Sequence, residues 1–522
     1  MAKQAQLPMR LLLWLVHATS VLGAGVSYSA RANSVDALED CLLNAVGGNL
    51  AEAKFSSEDG FKSDHVRPYN LNFPWAPFAI TYPTEASNVA KIVICASKHD
   101  RRVQARSGGH DYTNKCEYLK KIYGRTRLTG TGIGAGDGAV IIDVKNLNQV
   151  QVNSAGIATV GAGNRLKDVC EKLHANGKRY MPHGSSPTVG IGGHATVGGL
   201  GLHSRLLGTS IDVMTGAEVV LANGTIVHAS EKENSDLFWA IRGAGASFGI
   251  VTSFDFQTKP EPENVINFSF TISSTSPANL SAAFKAYHRI TIERNLDRRL
   301  SSVAVISKDT LRISGVFFGS KSDYAGVDFG SQIPGITNRT LKTDLTWMGH
   351  MGATFKSISD LFPDQSYFYA KDTAVTYSTL PSNSTIDAVF EHLQTAKPGT
   401  DTWFVLIDLY GGAANDAAAG ATSYPHHDLA YFFAMYARSG SETTSTIHDF
   451  VEKAVLTYQD NKPENFLSYA GYTNLRIKGS PQKQYWGANL SRLEGIKAVV
   501  DREDVFSTPQ GVKPLGIEIK QV

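Results

Sequence analysis

"HGSSPTVGIGGHATVGGLGLHSRLLG", residues 183–208, holds eight glycines in one segment. A second cluster, "RGAGASFGIV", occupies 242–251, and upstream "ARSGGHDY", 105–112, sets a glycine pair in front of a histidine. A nicotinamide-binding Rossmann unit needs G-x-G-x-x-G between a strand and a helix, with an acid about 20 residues on. "GIGGHATVGG" has neither that form nor that place. Gly161-Ala162-Gly163 follows a strand, but Leu166 stands where the third glycine belongs. The plain alternative is a set of surface turns. Glycines this dense point instead to several backbone loops converging on an extended anionic ligand, whose phosphates the N–H groups reach without a Cβ in the way. Gly108 and Gly109 would let the chain turn tightly and bring His110 to a flat ligand.

Composition agrees with a globular ligand-binding protein. The 522 residues are 42% hydrophobic and 19% charged, with net charge +2. That is length for roughly two or three domains. No block of like charge predicts a nucleic-acid or membrane-surface partner. Residues 1–25 read as a secretory signal peptide: Lys3 and Arg10, a short apolar run from Leu11 to Val16, then small residues. No later segment reaches the ~18 apolar residues of a membrane span. Six sequons, at Asn223, Asn267, Asn279, Asn338, Asn383 and Asn489, agree with export. Among four cysteines, Cys95 and Cys170 fall on amphipathic helix patterns and read as buried thiols. Cys41 and Cys116 have less regular surroundings, so an exported chain is expected to pair those two. No spacing resembles a metal site.

Between about Asp64 and Lys259, short apolar runs alternate with helical patterns and glycine turns. "AVIIDV", "IATVGAG", "MTGAEVVLANGTIVHAS" and "GIVTSFDFQTKP" predict strands; "LKDVCEKLHANG" and "SDLFWAIRGAG" predict helices closed by glycine. From about Pro260 the texture changes to longer strands, "INFSFTISS", "SSVAVISKDTLRISGVFFGS", "WFVLIDLYGG" and "DLAYFFAMYARSG", with helices between them. That predicts a second α+β unit on a mostly antiparallel sheet. A helix and an extended tail follow Asn465.

The ordered motifs "ARSGGHDY", "HGSSPTVGIGGHATVGGLG", "DLFWAIRGAGASFGIVTSFDF" and "YWGANLSRLEGIKAVVDREDVFSTPQGV" resemble those of the berberine bridge enzyme-like flavoprotein oxidases of the vanillyl-alcohol oxidase superfamily. The pattern is nearest that of secreted oligosaccharide oxidases. The resemblance covers nearly the whole chain after the leader. It implies an α+β fold with a two-part FAD-binding domain (26–259 and 465–522) and an inserted α+β substrate domain (260–464) on an antiparallel sheet. It implies FAD bonded through its 8α-carbon to His110, with Arg106 and Ser107 along the phosphate-bearing part and Gly108 and Gly109 giving room to the ring edge. Further cofactor contacts are expected from Ser186, Val189, Gly190, Gly192, Gly193, His194, Gly198, Gly199, Gly249, Ile250 and Val251. Asn489 is expected beside the cofactor, and hence buried and unglycosylated. Many relatives carry a second tether, a cysteine in H-G-x-C-P; here Ser186 takes its place, so a single tether through His110 is expected. Val189 occupies the oxygen-gating position, where valine goes with oxidases.

For chemistry, the resemblance implies Asp408 in "WFVLIDLYGG" and Tyr469 in "FLSYAGYTN" as a proton relay, with Tyr472 the rival for Tyr469. Tyr112 is expected to stack on the substrate at the mouth. Sugar oxidases of this type place glutamine two residues before the aspartate, where this chain has Leu406, and asparagine where it has Gly471. Three readings stay open. The first is a secreted oxidase making lactones from oligosaccharides at C1, with dioxygen as acceptor and a monomeric chain. The second is oxidation or oxidative cyclisation of a secondary metabolite in the same fold. The third is a non-catalytic secreted flavoprotein or binding protein.

Overall fold

The computed structural model describes residues 37–114, 138–327, 329–363 and 365–516. The leader and Cys116 lie outside them. In the N-terminal half, a four-stranded sheet runs in the order Ala53–Phe55, Ala79–Thr81, Val140–Asp143, Val103–Arg106. Its last three strands are mutually parallel. Both faces of Val140–Asp143 are covered, which explains the unbroken apolar run in "AVIIDV". The amphipathic helix Ala86–Lys98 packs Val89, Ile92 and Val93 into the same core.

A second, antiparallel sheet has five strands, ordered Val150–Val152, Ile157–Gly161, Ile250–Gln257, Met214–Val220, Ile226–Ser230. The tail after Asn465 returns to this half. Helix Leu490–Val500 puts Lys497 Nζ on the Ser247 carbonyl, and Val103 N–H donates to the Val505 carbonyl.

Between them lies a seven-stranded antiparallel sheet in the order Asn338–Leu345, Val265–Ser273, Thr310–Phe318, Leu300–Ser307, Thr402–Leu409, Leu429–Ser439, Tyr367–Thr376. Side chains alternate along each strand. On Thr402–Leu409, Trp403, Val405, Ile407 and Leu409 join the core that includes helices Pro277–Thr291, Asn383–Thr395 and Ser445–Tyr458. Phe404, Leu406 and Asp408 therefore point to the opposite face, toward the N-terminal half.

One cysteine expectation is corrected. Cys41 pairs with Cys95, not Cys116, with Cα atoms 5.8 Å apart. The helical residues 37–45 pack against the apolar face of Ala86–Lys98, and that face carries Cys95. A cysteine on an apolar helix face reads as an inert thiol only until its neighbour is known. Cys170 is the buried free thiol expected, and burial pushes its pKa up to about 12.

Candidate active site

A cavity of about 870 Å³ separates the glycine loops from the open face of the seven-stranded sheet. Strand Val103–Arg106 delivers the chain to its edge, where Gly109 adopts φ +75°. Few side chains tolerate that angle, and the turn presents His110 to the cavity, its ring 4.4 Å from that of Tyr69. Gly108 meets the other glycine loop backbone to backbone: a Cβ there would lie 2.2 Å from Gly190 N. Gly108 thus joins two loops of the cradle, rather than simply making room for a ring.

Arg106, Ser107, Gly108, Gly109, His110, Ser186 and Val189 line the cavity, as do Gly190, Gly192, Gly193, His194, Gly249, Ile250 and Val251. Three expected cofactor residues do not. Gly198 packs against the Tyr424 ring and Gly199 against Ser210, while the Asn489 amide donates to the carbonyls of Thr422 and Ser423. They hold the cradle's outer layer together. Arg106 has a partner of its own: Nε donates to Asp143 Oδ2 at 2.8 Å and Nη1 to the His65 carbonyl at 2.9 Å. Its charge is answered within the protein, so it braces the loop. His194 Nε2 accepts from Gly184 N–H at 2.9 Å, and burial lowers its pKa to about 3, so the ring stays neutral.

The cradle fits FAD. A Cβ on Gly193 would meet nothing within 4 Å, so backbone there faces open cavity. An imidazole stands at one wall, and the space continues from it to the phenols opposite.

Those phenols hang from the loop after Asn465 and from the sheet. Tyr472 lies beside Asp408 and favours its charged form, while burial, the larger effect, raises the Asp408 pKa to about 6. Burial, then the Asp408 charge, raises the Tyr472 phenol well above 10. Tyr112 stacks on Tyr472 (5.4 Å between centroids, planes 6° apart) and shares a 2.5 Å hydrogen bond with the Tyr436 hydroxyl. Tyr112 is thus built into the wall, rather than standing free at the mouth. Tyr469 also lines the cavity, but the neighbour that acts on the Asp408 carboxylate is Tyr472. Tyr469 lies edge-on to Tyr472, packs against Phe432, and its N–H donates to Asp372 Oδ2 at 2.7 Å. Of the two expected phenols, Tyr472, the rival, is the one whose influence on Asp408 the site favours. The two tyrosines are three residues apart in an irregular loop, and no periodicity chooses between them.

Sequence reasoning missed Tyr69, Tyr436 and Asp372. Tyr436 sits in the unbroken apolar run "LAYFFAMYA", which hides which residues face the cavity; pairing with the strand that carries Asp408 reveals it. Asp372, 2% exposed, has its pKa raised to about 8 by burial, so it is protonated at neutral pH. No cluster of metal-ligating side chains occurs among the described residues.

Comparison with known proteins agrees with this geometry. The FAD binding domain family matches residues 77–230, and the berberine and berberine-like family matches 468–513. The FAD-linked oxidoreductase sorD of Penicillium rubens is 34% identical over 491 residues, covering 92% of this chain and 99% of the relative. The chitooligosaccharide oxidase of Gibberella zeae is 30% identical over 520 residues, covering 95% and 98%. A solved structure of glucooligosaccharide oxidase from Acremonium strictum, described with a 6-S-cysteinyl, 8α-N1-histidyl FAD, superposes with a TM-score of 0.79 at 27% identity, covering 92% of this chain and all of that one. With both family matches in chain order and these relatives matched nearly end to end, the chain belongs to the berberine bridge enzyme-like family of FAD-linked oxidoreductases.

Proposed function

We propose that the protein is a secreted oxidase that converts a substrate C–OH to C=O, with FAD tethered through His110 alone and dioxygen as acceptor. The observation that carries this reading is the Tyr472–Asp408 pair on the cavity that His110 also lines. When bound, FAD would supply the hydride acceptor and the redox chemistry by which dioxygen becomes hydrogen peroxide.

The chain's own residues handle the proton. Neither group suffices alone: the Tyr472 phenol is held well above its ordinary pKa, while Asp408 ionises above about pH 6. Tyr472 takes the substrate's hydroxyl proton as it passes its own to Asp408, so the charge ends on neither phenol nor substrate. Tyr112, stacked on Tyr472 and tied to Tyr436, fixes the orientation of the phenol. Ser186 offers no thiol for a second tether, and Val189 leaves the oxygen-gating position small. Export is supported by the leader-like N-terminus and by the Cys41–Cys95 disulfide.

Two substrate readings remain in the same chemistry. Oligosaccharide oxidation at C1 to a lactone is supported by relatives named for chitooligosaccharide and glucooligosaccharide. Oxidation of a less polar alcohol is supported by Leu406, on the same cavity face of the strand as Asp408. The tether has a direct test. Denatured protein should retain one flavin on a peptide containing His110, and His110→Ala should release free FAD. A cysteinyl flavin, or no covalent flavin in the intact protein, contradicts the assignment.

A further inference from the structure

The cavity-facing sheet changes character from one side to the other, and strand register gives the scale. Asp408 lies opposite Val303 on one neighbouring strand and Phe432 on the other. Two residues back, Leu406 lies opposite Val305 and Ala434, and Phe404 opposite Tyr436. Leu361 and Phe362 close the same slot from the helix side, in one apolar cluster with Tyr112, Tyr472 and Leu406. The Tyr436 hydroxyl in this ring is already engaged by Tyr112, and the Ser301 hydroxyl, unpartnered among the described residues, lines the cavity one pleat beyond Val303, away from Leu406. A pyranose presents a hydroxyl at nearly every carbon. Hydroxyls on the Leu406 side of the reacting one would lose water against Leu406, Val305 and Phe362 without gaining partners, which is unfavourable.

One strand further out, polarity returns. Val303 pairs with Ser314, which pairs with Ser269; Val305 pairs with Arg312. Arg312 and Lys342 line this arm of the cavity, and neither forms an ion pair among the described residues. Arg312 Nε donates only to Ser269 Oγ, at 3.3 Å. The carboxylate on the facing helix, Asp360, is taken by Lys356 at 2.8 Å. Arg312 lies two strands from Leu406, about 10 Å at the usual strand spacing.

Resting on the oxidase reading above, the geometry points to a specific substrate class: a flat, unsaturated or aromatic alcohol carrying an anionic group about 10 Å from its carbinol carbon. The carbinol end fills the Leu406–Tyr436–Phe362 slot against Tyr472, and the anion meets Arg312. The carbinol carbon loses its hydrogen as hydride, and its hydroxyl proton goes to the Tyr472–Asp408 pair. The product is the corresponding carbonyl compound.

The test uses holoenzyme under anaerobic conditions with 4′-(hydroxymethyl)biphenyl-4-carboxylate, its methyl ester, chitobiose and cellobiose. Binding of biphenyl-4,4′-dicarboxylate, which cannot be oxidised, is followed by calorimetry. The free acid should reduce the flavin with kcat/KM at least tenfold above either disaccharide and roughly fivefold above the ester, the order of an exposed ion pair. The dicarboxylate should bind, more weakly as salt rises. Arg312→Glu should abolish the preference for acid over ester. Leu406→Gln should lower kcat/KM for the acid by about tenfold, the scale of one ill-matched contact in an apolar pocket. A disaccharide that outperforms the biphenyl acid overturns the substrate class and leaves the oxidase reading standing. Equal rates for acid and ester overturn the anionic end. Dicarboxylate binding with no reduction by any alcohol supports the substrate class and overturns the oxidase reading. Neither binding nor reduction overturns both.

Discussion

Asp408 ties a pH range to a single buried carboxyl group. Burial raises its pKa to about 6, against an ordinary value near 4. The acceptor form is therefore present above about pH 6 and is lost as pH falls through that value. Anaerobic flavin reduction should show an acid limb near pH 6 and then run level. Asp408→Asn should remove the limb and slow reduction by about 10²–10⁴-fold, the usual worth of positioned acid–base catalysis. A limb near pH 4, or a parent rate in the variant, would mean that Asp408 is solvated or idle. The same residue marks how far sequence reading reaches. The family resemblance singled out Asp408 in "WFVLIDLYGG" and His110 in "ARSGGHDY", because each lies in a short contiguous motif. The partner of Asp408 comes from a loop about sixty residues away, and tertiary packing alone selects Tyr472 over Tyr469.

The C-terminal tail is an element whose docking rests on one buried cation. Lys497, fully buried, reaches Asp501 Oδ2 at 2.5 Å, Asp504 Oδ1 at 3.1 Å and the Ser247 carbonyl at 2.6 Å. Asp501 in turn accepts from the N–H groups of Val505 and Phe506, and Val505 anchors the strand that leads to Arg106 and His110. Lys497→Met keeps the side-chain volume and leaves Asp501 without its counter-ion, while Asp504 keeps Lys513 at 2.9 Å. It should cost about 3–5 kcal/mol, read from urea unfolding. A looser tail should also lower the fraction of chains carrying covalent flavin, measured by absorbance after denaturation. Unchanged stability with full flavin content would show that the tail is pinned elsewhere. The longer strands of this half were legible from apolar periodicity and two of its helices from their glycine stops, but Ala53–Phe55, Ala79–Thr81, Val103–Arg106 and Val150–Val152 were too short to show a period. The ion cluster was not, because its members look like ordinary surface charges in "GIKAVVDREDV".

At the scale of the molecule, a glycine-lined cradle faces one side of a sheet whose other side is sealed by helices. The change of texture near Pro260 and the return after Asn465 made this layout readable, since period and strand length change with the architecture. The polarity gradient across the sheet was not readable, since register depends on which strands become neighbours. The disulfide was misread for a related reason: two helices had to pack before Cys41 and Cys95 met. That bond spans a sequence separation of 54 residues, and loop entropy assigns it about 4 kcal/mol. Replacing both cysteines by alanine should lower unfolding stability on that order and leave flavin reduction unchanged; a loss under ~1 kcal/mol would point to a structured unfolded state. The central claim, that the phenol on Asp408 is the one that takes the substrate proton, is tested by anaerobic stopped-flow flavin reduction in Tyr472→Phe and Tyr469→Phe. Tyr472→Phe should be slower by about 10²–10⁴-fold, and Tyr472→Phe/Asp408→Asn little slower than either single variant, because the two act as a unit. Tyr472→Phe reducing at the parent rate, with Tyr469→Phe crippled, would contradict it.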